Sequence, residues 1–274
     1  VGSEHQRRLW VRGGFPRSYL AADDGSAALW REGFIRTFLE RDIPQLAAAL
    51  PSPTVRRMWT MLAHHHGGIV NHAALSRALE VSQPTVTRWI DLLVQTFMVR
   101  TLRPWTPNTG KRLVKRPKLY LRDSGILHTL LSLQSEEDII SHPILGASWE
   151  GFALEETVRT LGVDMDTSFF WRTHAGAEID LLWERRGRRY AAEFKFSDAP
   201  KMTRSIATVR TELALEHIWI VYPGSRSYAL DDGVTVVPLG GRTLGRLAGR
   251  ITISDDFDAE DASINEDFYG PSPS

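Results

Sequence analysis

The stretch GAEIDLLWERRGRRYAAEFKF, residues 176–196, decides the fold class of this chain. Two strand-like runs flank Arg186 and Gly187, which predicts a β-hairpin with a two-residue turn. In that register Asp180 lies directly opposite Glu193. Because side chains alternate between the faces of a strand, one face is predicted to form the core. The residues of that predicted core face are Ala177, Ile179, Leu181, Trp183, Tyr190, Ala192, Phe194 and Phe196.

The other face of the hairpin carries Glu178, Asp180, Glu193 and Lys195. Like charges opposite each other destabilise a sheet, so Asp180 and Glu193 need a compensating partner. Mg²⁺ or Mn²⁺ fits, because hard cations prefer carboxylate and water oxygens. Lys195 then holds a water nucleophile or neutralises charge on a phosphate. The alternative is a solvent-exposed face on which Glu178 pairs with Lys195.

The elements around the hairpin bear on this choice. The stretch SWEGFALEETVRTLG, residues 148–162, predicts a helix with Ser148 as its N-cap. Glu150 heads a mostly apolar stripe of this helix, as a partner of the helix dipole or as a group aimed into a site. SFFWRT predicts a strand before the hairpin, and KMTRSIATVRTELAL and HIWIVYP predict a helix and a strand after it. The predicted order is helix, three strands, helix, strand.

That order, with Asp180 and the Glu193-Phe194-Lys195 triplet on neighbouring strands, resembles the PD-(D/E)XK nuclease superfamily over residues 146–224. The resemblance implies an α+β or α/β fold of the restriction-endonuclease type and metal-dependent hydrolysis of DNA. It also implies that Asp180 and Glu193 bind the metal ion, that Lys195 is the catalytic lysine, and that Glu150 is the first-helix glutamate of the site.

An earlier part of the chain is typical of a winged helix-turn-helix. TVRRMWTMLAHHHGG and HAALSRAL predict two helices, EVS a tight turn, and SQPTVTRWIDLLVQTF a third helix with Ser82 as its N-cap and Pro84 in its first turn. Val86, Ile90 and Leu93 are predicted to face inward. The outward residues at the helix start, where a major groove is usually entered, are Gln83, Thr85, Thr87 and Arg88.

A basic segment follows this third helix. Residues 100–118, RTLRPWTPNTGKRLVKRPK, hold seven basic residues and no acid, which predicts a wing that contacts phosphate through Lys111, Arg112, Lys115 and Arg116. DNA contact is one interpretation, and docking of a protein partner is the other. The run His64-His65-His66 cannot converge on one metal ion, because consecutive helix residues point in different directions. It is interpreted as a solvated helix C-terminus.

Composition limits the remaining possibilities. The chain has 274 residues, no cysteine and a formal net charge of zero. No apolar run reaches the length of a membrane span, which together with the absence of cysteine favours a cytoplasmic protein with no membrane partner. Residues 255–274 hold seven acidic residues and no Lys or Arg, so the 33 basic residues face 26 acids elsewhere, a balance of about +7. This tail is predicted to be disordered, or to compete with nucleic acid for a basic surface.

A second resemblance covers nearly the whole chain. The segments RGGFPRSYL, FLERDI, RPKLYLRDSGIL, SWEGFALEE, HAGAEIDLLW and AAEFKFS, in that order, resemble the carboxyl-terminal part, called domain of unknown function 4143, of prokaryotic AAA-type ATPase fusion proteins. The resemblance implies an ATPase module before residue 1 as a partner in cis. This chain carries no G-x-x-x-x-G-K-[ST] motif, because Gly110-Lys111 is followed by Arg112, so no ATPase activity is assigned to it.

The predicted division of the chain is a helical linker at 1–50, a winged helix-turn-helix at 51–122, a connector at 123–143, a nuclease-like domain at 144–250 and an acidic tail at 251–274. Two functions remain open. One is a metal-dependent DNA nuclease with a winged-helix DNA-binding module. The other is a catalytically silent module that binds nucleic acid or protein and regulates an AAA-type ATPase.

Overall fold

The structure is a computed structural model that describes residues 4–46, 52–106, 114–163 and 167–240. Across these ranges the chain is a mixed α+β protein whose strands form one mixed sheet. No helix in the described ranges combines the length and the apolar character that a membrane crossing requires. Lys111, Arg112 and the acidic tail at 251–274 lie outside the described residues.

The N-terminal segment is helical, as its pattern predicts. Its elements are α1 (Glu4–Arg12), α2 (Pro16–Tyr19), α3 (Asp24–Thr37), a π-helical turn (Phe38–Asp42) and α4 (Ile43–Leu46). Asp23 caps α3 by accepting a hydrogen bond of 2.6 Å from the Ser26 backbone N–H. The rings of Phe34 and Phe38 stack at 5.9 Å, and Phe38 is buried. This segment therefore closes one side of the apolar cluster beneath the next three helices.

Three helices and three strands follow. They are α5 (Ser52–His64), β1 (Gly68–Ile69), α6 (His72–Leu79), α7 (Gln83–Gln95), β2 (Val99–Pro104) and β3 (Lys118–Leu121). The predicted N-cap of α7 is confirmed, because Ser82 Oγ accepts a hydrogen bond of 3.2 Å from the Thr85 N–H. The predicted inward residues Val86, Ile90 and Leu93 are buried. Strand β3 lies between β1 and β2 and runs antiparallel to both.

The connector holds α8 (Ser124–Leu130) and α9 (Glu136–Ser141). The predicted order of helix, three strands, helix and strand is then confirmed. These elements are α10 (Leu145–Leu161), β4 (Ser168–Arg172), β5 (Glu178–Arg185), β6 (Arg188–Phe194), α11 (Arg204–Leu213) and β7 (His217–Tyr222). Two strands that the sequence analysis did not predict complete the sheet, β8 (Tyr228–Asp231) and β9 (Val234–Pro238).

The nine described strands form one continuous hydrogen-bonded sheet. The strand order is β1-β3-β2-β4-β5-β6-β7-β9-β8, and β2 pairs in parallel with β4 through Arg103 and Phe169. A second apolar cluster joins the two parts of the chain, because it contains Trp10 of α1, Tyr120 of β3 and Trp149 of α10. The predicted winged-helix and nuclease-like segments therefore share both a sheet and a core.

The turn of the decisive hairpin is as predicted, but its faces are not. Arg186 and Gly187 have φ of 53° and 72°, and Arg185 pairs with Arg188, which confirms the two-residue turn. The prediction of one apolar and one polar face is wrong, because α11 covers the second face and packs against Leu182 and Ala191 there.

A change of register explains the remaining error in the predicted core face. The pairing of β4 with β5 shifts between Phe169 and Trp171, which is the signature of a β-bulge. An extra residue in one strand reverses the alternation of side chains beyond it. Ile179 accordingly packs with Leu182 in the cluster under α11, and not with Leu181 and Trp183 as predicted.

Candidate functional site

Four carboxylates gather where β3, β5, β6 and α10 approach one another, and we call Glu150, Glu178, Asp180 and Glu193 the acidic centre. Asp180 and Glu193 are each only 5% exposed. Asp180 Oδ2 accepts a hydrogen bond of 3.0 Å from the Phe194 backbone N–H, which ties the carboxylate of β5 to the neighbouring strand. The alternative interpretation, a solvent-exposed polar face, is therefore wrong.

Lys118, the first residue of β3, reaches into the acidic centre and was missed by the sequence analysis. Its Nζ lies 2.9 Å from Glu150 Oε1, 2.6 Å from Glu178 Oε1 and 3.3 Å from Asp180 Oδ1. Its side chain is only 3% exposed. Burial lowers the pKa of Lys118, but the surrounding acidic groups outweigh this effect and raise its pKa well above the ordinary value. Lys118 is therefore a buried, charged partner of three carboxylates.

A signal for Lys118 was present in the sequence. Lys118 stands two residues before Tyr120 in a short run that continues as Leu119-Tyr120-Leu121, so both side chains point to the same side of β3. The Tyr120 hydroxyl donates a hydrogen bond of 2.6 Å to Glu150 Oε1, the oxygen that Lys118 also contacts. A lysine at the head of an apolar strand is unusual on a solvated wing, and this position distinguishes it from Lys115 and Arg116.

Glu150 belongs to the interior of its helix. Helix α10 begins at Leu145, so the predicted N-cap Ser148 is wrong. Ser148 is buried within the helix, where its Oγ lies 2.7 Å from His128 Nε2 and accepts a 3.0 Å hydrogen bond from Trp10 Nε1. Glu150 reaches side chains of β3 in place of the helix terminus. Burial raises the pKa of Glu150 to about 7, and Asp180 adds to this rise while Lys118 and Tyr120 oppose it.

Glu193 and Lys195 form a pair at the rim of the acidic centre. Lys195 Nζ lies 2.6 Å from Glu193 Oε1, and the Lys195 side chain is 43% exposed. Glu193 Oε2 is buried and has no hydrogen-bond partner among the described residues. Burial, followed by the charge of Asp180, raises the pKa of Glu193 to about 8. Glu178, predicted opposite Lys195, instead contacts Lys118 and Arg172, the latter at 3.5 Å.

A buried histidine supports the acidic centre from behind. His66 Nδ1 accepts a hydrogen bond of 3.0 Å from the Leu121 N–H, and its ring meets Tyr120 edge-on at 5.5 Å. Burial lowers the pKa of His66 to about 3. The interpretation of the histidine run as solvated holds for the exposed His64 and His65 but is wrong for His66. The glycines after α5 let the chain turn back toward β3 and bring His66 inside.

The predicted nucleic-acid contacts lie on two other elements. On α7, Gln83 and Arg88 are exposed and Thr85 and Thr87 are half-buried; Gln83, Thr87 and Arg88 line one shallow depression. Thr87 Oγ1 lies 3.1 Å from His72 Nδ1, so it is already engaged within the protein. Lys115 and Arg116, just before β3, are exposed. The structure thus brings together Glu150, Asp180, Glu193 and Lys195, and keeps the α7 residues as a separate surface.

The side chains of the acidic centre fit the predicted metal ion only in part. Within the described ranges, no group of three or more His, Asp or Glu side chains has the arrangement of a metal centre. Two carboxylates remain as candidate ligands, Asp180 and Glu193, and both present hard oxygen atoms of the type that Mg²⁺ and Mn²⁺ prefer. The unpartnered, buried Glu193 Oε2 fits such a ligand. A site of this kind is completed by water and a substrate phosphate.

Comparison with known proteins divides the chain into two matched parts. Residues 3–137 match the family described as "Domain of unknown function (DUF8612)", and residues 145–241 match "Domain of unknown function (DUF4143)". The resemblance expected over nearly the whole chain is thus found for residues 145–241, whereas the N-terminal part matches a different family. No solved structure matches the chain.

Two curated relatives are similar over most of the chain. Uncharacterized proteins of Mycobacterium bovis and of Mycobacterium tuberculosis are each 44% identical to it over 238 residues. The alignment covers 87% of this chain and 54% of each relative. The chain therefore spans about half the length of the curated relatives it matches.

Proposed function

We propose that this chain is a metal-dependent DNA nuclease with a restriction-endonuclease-like PD-(D/E)XK fold, joined to a winged-helix module that binds DNA. One observation carries the proposal: Asp180 and Glu193 are buried together on neighbouring strands, Glu193 Oε2 lacks a partner among the described residues, and Lys195 lies 2.6 Å from Glu193. The match of residues 145–241 to DUF4143 assigns no chemistry, so the proposal rests on these side chains.

Asp180 and Glu193 are the residues that would hold Mg²⁺ or Mn²⁺. Both are buried on neighbouring central strands of the sheet, which fixes the positions of their carboxylates. A divalent ion bound there supplies positive charge to a phosphate and lowers the pKa of a bound water molecule. Glu150 contributes from α10, where its contact with Tyr120 fixes the direction of its carboxylate.

Lys195 acts at the solvent side of the same site. Its Nζ is anchored by Glu193, yet nearly half of its side chain remains exposed, so it meets a phosphate arriving from solvent. An ammonium group held in advance stabilises the charge that develops on a phosphate during hydrolysis. We therefore assign to Lys195 the role of neutralising that charge and orienting the attacking water.

The DNA-binding part of the proposal follows from element order and charge. A helix, a short strand, two helices and two further strands, with β3 between β1 and β2, is the order of a winged helix. Helix α7 offers Gln83, Thr85, Thr87 and Arg88 at its start, where groove contacts are made. Lys115 and Arg116, together with Lys111 and Arg112, provide sequence-independent contact with phosphate.

A second candidate function has one observation in its favour. Lys118 already compensates three carboxylates of the acidic centre, which is what a structural ion-pair cluster requires. On this basis the chain is a catalytically silent module that binds nucleic acid or protein and regulates an AAA-type ATPase module in cis. The chain covers only about half of the length of its relatives, and this proposal assigns the ATPase module to the other half.

One experiment separates the two functions. Purified protein is titrated with Mg²⁺ and Mn²⁺ in the presence of supercoiled, linear, single-stranded and branched DNA, alongside Asp180→Ala and Lys195→Ala. For a nuclease we expect wild type to cleave, Asp180→Ala to lose both metal binding and cleavage, and Lys195→Ala to lose on the order of a hundredfold in cleavage while DNA affinity stays nearly intact.

The contrary result is equally clear. If wild type binds DNA but cleaves none of the four substrates, and the full-length mycobacterial relative with ATP also cleaves none, the silent module is the better assignment. Cleavage that persists undiminished in both variants points to a contaminating nuclease.

A further inference from the structure

Lys118 contacts one of the two carboxylates that would hold the proposed metal ion. Asp180 Oδ2 already accepts a hydrogen bond of 3.0 Å from the Phe194 N–H, so Oδ1 is the oxygen with more free capacity for a cation. That oxygen lies 3.3 Å from Lys118 Nζ. Two cations on one carboxylate oxygen repel each other strongly in a buried site, where screening by water is weak. Lys118 in this position therefore opposes the binding of a metal ion to Asp180.

We propose that Lys118 is a tethered cation that competes with the divalent metal ion for the acidic centre, and that a bound metal ion displaces its side chain. This inference rests on the proposed function, because it concerns metal binding at that same site. It assigns to Lys118 a regulatory role: the acidic centre is filled internally until a divalent metal ion takes the place of the ammonium group.

The backbone of Lys118 is fixed in the sheet, so displacement concerns its side chain. Lys118 is the first residue of β3 and pairs with Ile69 of β1 on one side and with Leu102 of β2 on the other. Lys118 is held by three carboxylates and lies over the rings of Phe170 and Tyr120 at 5.6 and 6.0 Å, and all these contacts are broken by one withdrawal of the side chain.

A purely structural ion pair predicts different behaviour. If Lys118 only stabilises the fold, its removal weakens the carboxylate cluster and brings no gain in metal binding. If it competes with the metal ion, its removal leaves buried carboxylates without a partner, which a divalent ion satisfies. The sign of the change in metal affinity therefore separates the two roles.

The first test measures Mn²⁺ binding by calorimetry, without DNA, in wild type, Lys118→Met and Lys115→Met. Lys115→Met removes the same charge from an exposed site three residues away and is the matched control. We expect Lys118→Met to bind Mn²⁺ at least tenfold more tightly than wild type, and to regain with Mn²⁺ the thermal stability that it loses in chelator. Lys115→Met should match wild type. A folded Lys118→Met that binds Mn²⁺ no more tightly than wild type overturns the proposal.

The second test uses wild-type protein and does not depend on the folding of a variant. The rate of lysine acetylation is followed by mass spectrometry, in chelator, with Mn²⁺, with a short DNA duplex, and with both. Lys118, which is almost fully buried, should be protected in chelator and should react at least tenfold faster when Mn²⁺ is bound, with or without the duplex. Continued protection of Lys118 under all four conditions, while Mn²⁺ is bound, refutes the displacement of Lys118.

The outcomes for the two proposals are distinguishable. Tighter Mn²⁺ binding by Lys118→Met with no cleavage of any DNA removes the nuclease assignment and leaves the competition of Lys118 with the metal ion in place. DNA cleavage by wild type with Lys118 still protected does the opposite. Absence of Mn²⁺ binding in every variant overturns both.

Discussion

Replacing Glu193 by Gln tests the electrostatics of the acidic centre without any metal ion. Glu193 is buried, one of its oxygens has no partner among the described residues, and its pKa is raised from 4.5 to about 8. The folded protein therefore holds this proton more tightly than the unfolded chain does. Stability is gained below the unfolded pKa and is lost progressively as the pH rises from about 4.5 to about 8.

The expected magnitude follows from the size of this shift. Each pKa unit corresponds to about 1.4 kcal/mol, so the ionised carboxylate costs the fold on the order of 5 kcal/mol above pH 8 relative to pH 4.5. Glutamine keeps the shape of the side chain and never ionises. Glu193→Gln should therefore resemble wild type most closely near pH 5 and become progressively more stable than wild type toward pH 8.

The assay is urea unfolding in chelator at intervals from pH 5 to pH 9, for wild type, Glu193→Gln and Glu184→Gln. Glu184 lies on the same hairpin and is exposed, so Glu184→Gln is the matched control for the loss of a carboxylate outside the acidic centre. The reasoning is refuted if the difference between wild type and Glu193→Gln is constant with pH. Glu193 would then be ionised in the folded protein at no cost.

Three further predictions address the wing, a second buried histidine and the packing behind the site. Neutralising Lys111, Arg112, Lys115 and Arg116 together should flatten the slope of log DNA affinity against log salt by about three to four units, while Gln83→Ala leaves it unchanged; a slope unaltered by the fourfold change would remove the wing from the DNA contact. Burial lowers the pKa of His128 to about 4, so as the pH falls from about 6.5 this residue should reduce the free energy of unfolding of wild type by about 1.4 kcal/mol per pH unit. In urea unfolding, His128→Asn should lack this contribution, whereas His64→Asn, at an exposed position, should keep it. Equal slopes in wild type and His128→Asn would contradict a neutral His128. A methyl group on Gly151 would lie 2.1 Å from His66 Nε2, whereas one on Gly146 of the same helix meets nothing within 4 Å. In thermal unfolding, Gly151→Ala should therefore destabilise the protein by several kcal/mol, and Gly146→Ala should stabilise it by about 1 kcal/mol. Equal effects of the two substitutions would rule out the close packing of His66.

The local elements could be predicted because short-range signals specify them. The turn at Arg186-Gly187, the cap at Ser82 and the order of elements from α10 to β7 depend on residues close together in the chain. Resemblance to the PD-(D/E)XK superfamily predicted that four residues lie together, namely Glu150, Asp180, Glu193 and Lys195. Helix and strand periodicity alone does not place a helix residue beside two strands.

The errors have long-range causes. Ser148 has the composition of an N-cap, but its hydroxyl is satisfied by His128 and Trp10, which are distant in sequence. In the sequence, Lys118 looks like one more basic residue of the wing. Its place beside the acidic centre depends on the pairing of β3 with β2 and of β2 with β4, which is long-range. The bulge that displaces Ile179 arises between strands, so no pattern within β5 reports it.

The parallel pairing of β2 with β4 also determines how the two surfaces of this chain relate to each other. Neighbouring strands in a sheet keep a separation of about 4.8 Å, and only β4 stands between β2 and β5, the strand that carries Asp180. Strand β2 leads directly from α7 and cannot swing away from β5 without breaking the sheet. If α7 holds a nucleic acid as proposed, that ligand meets the acidic centre at an interval that is set by the sheet and not by a hinge.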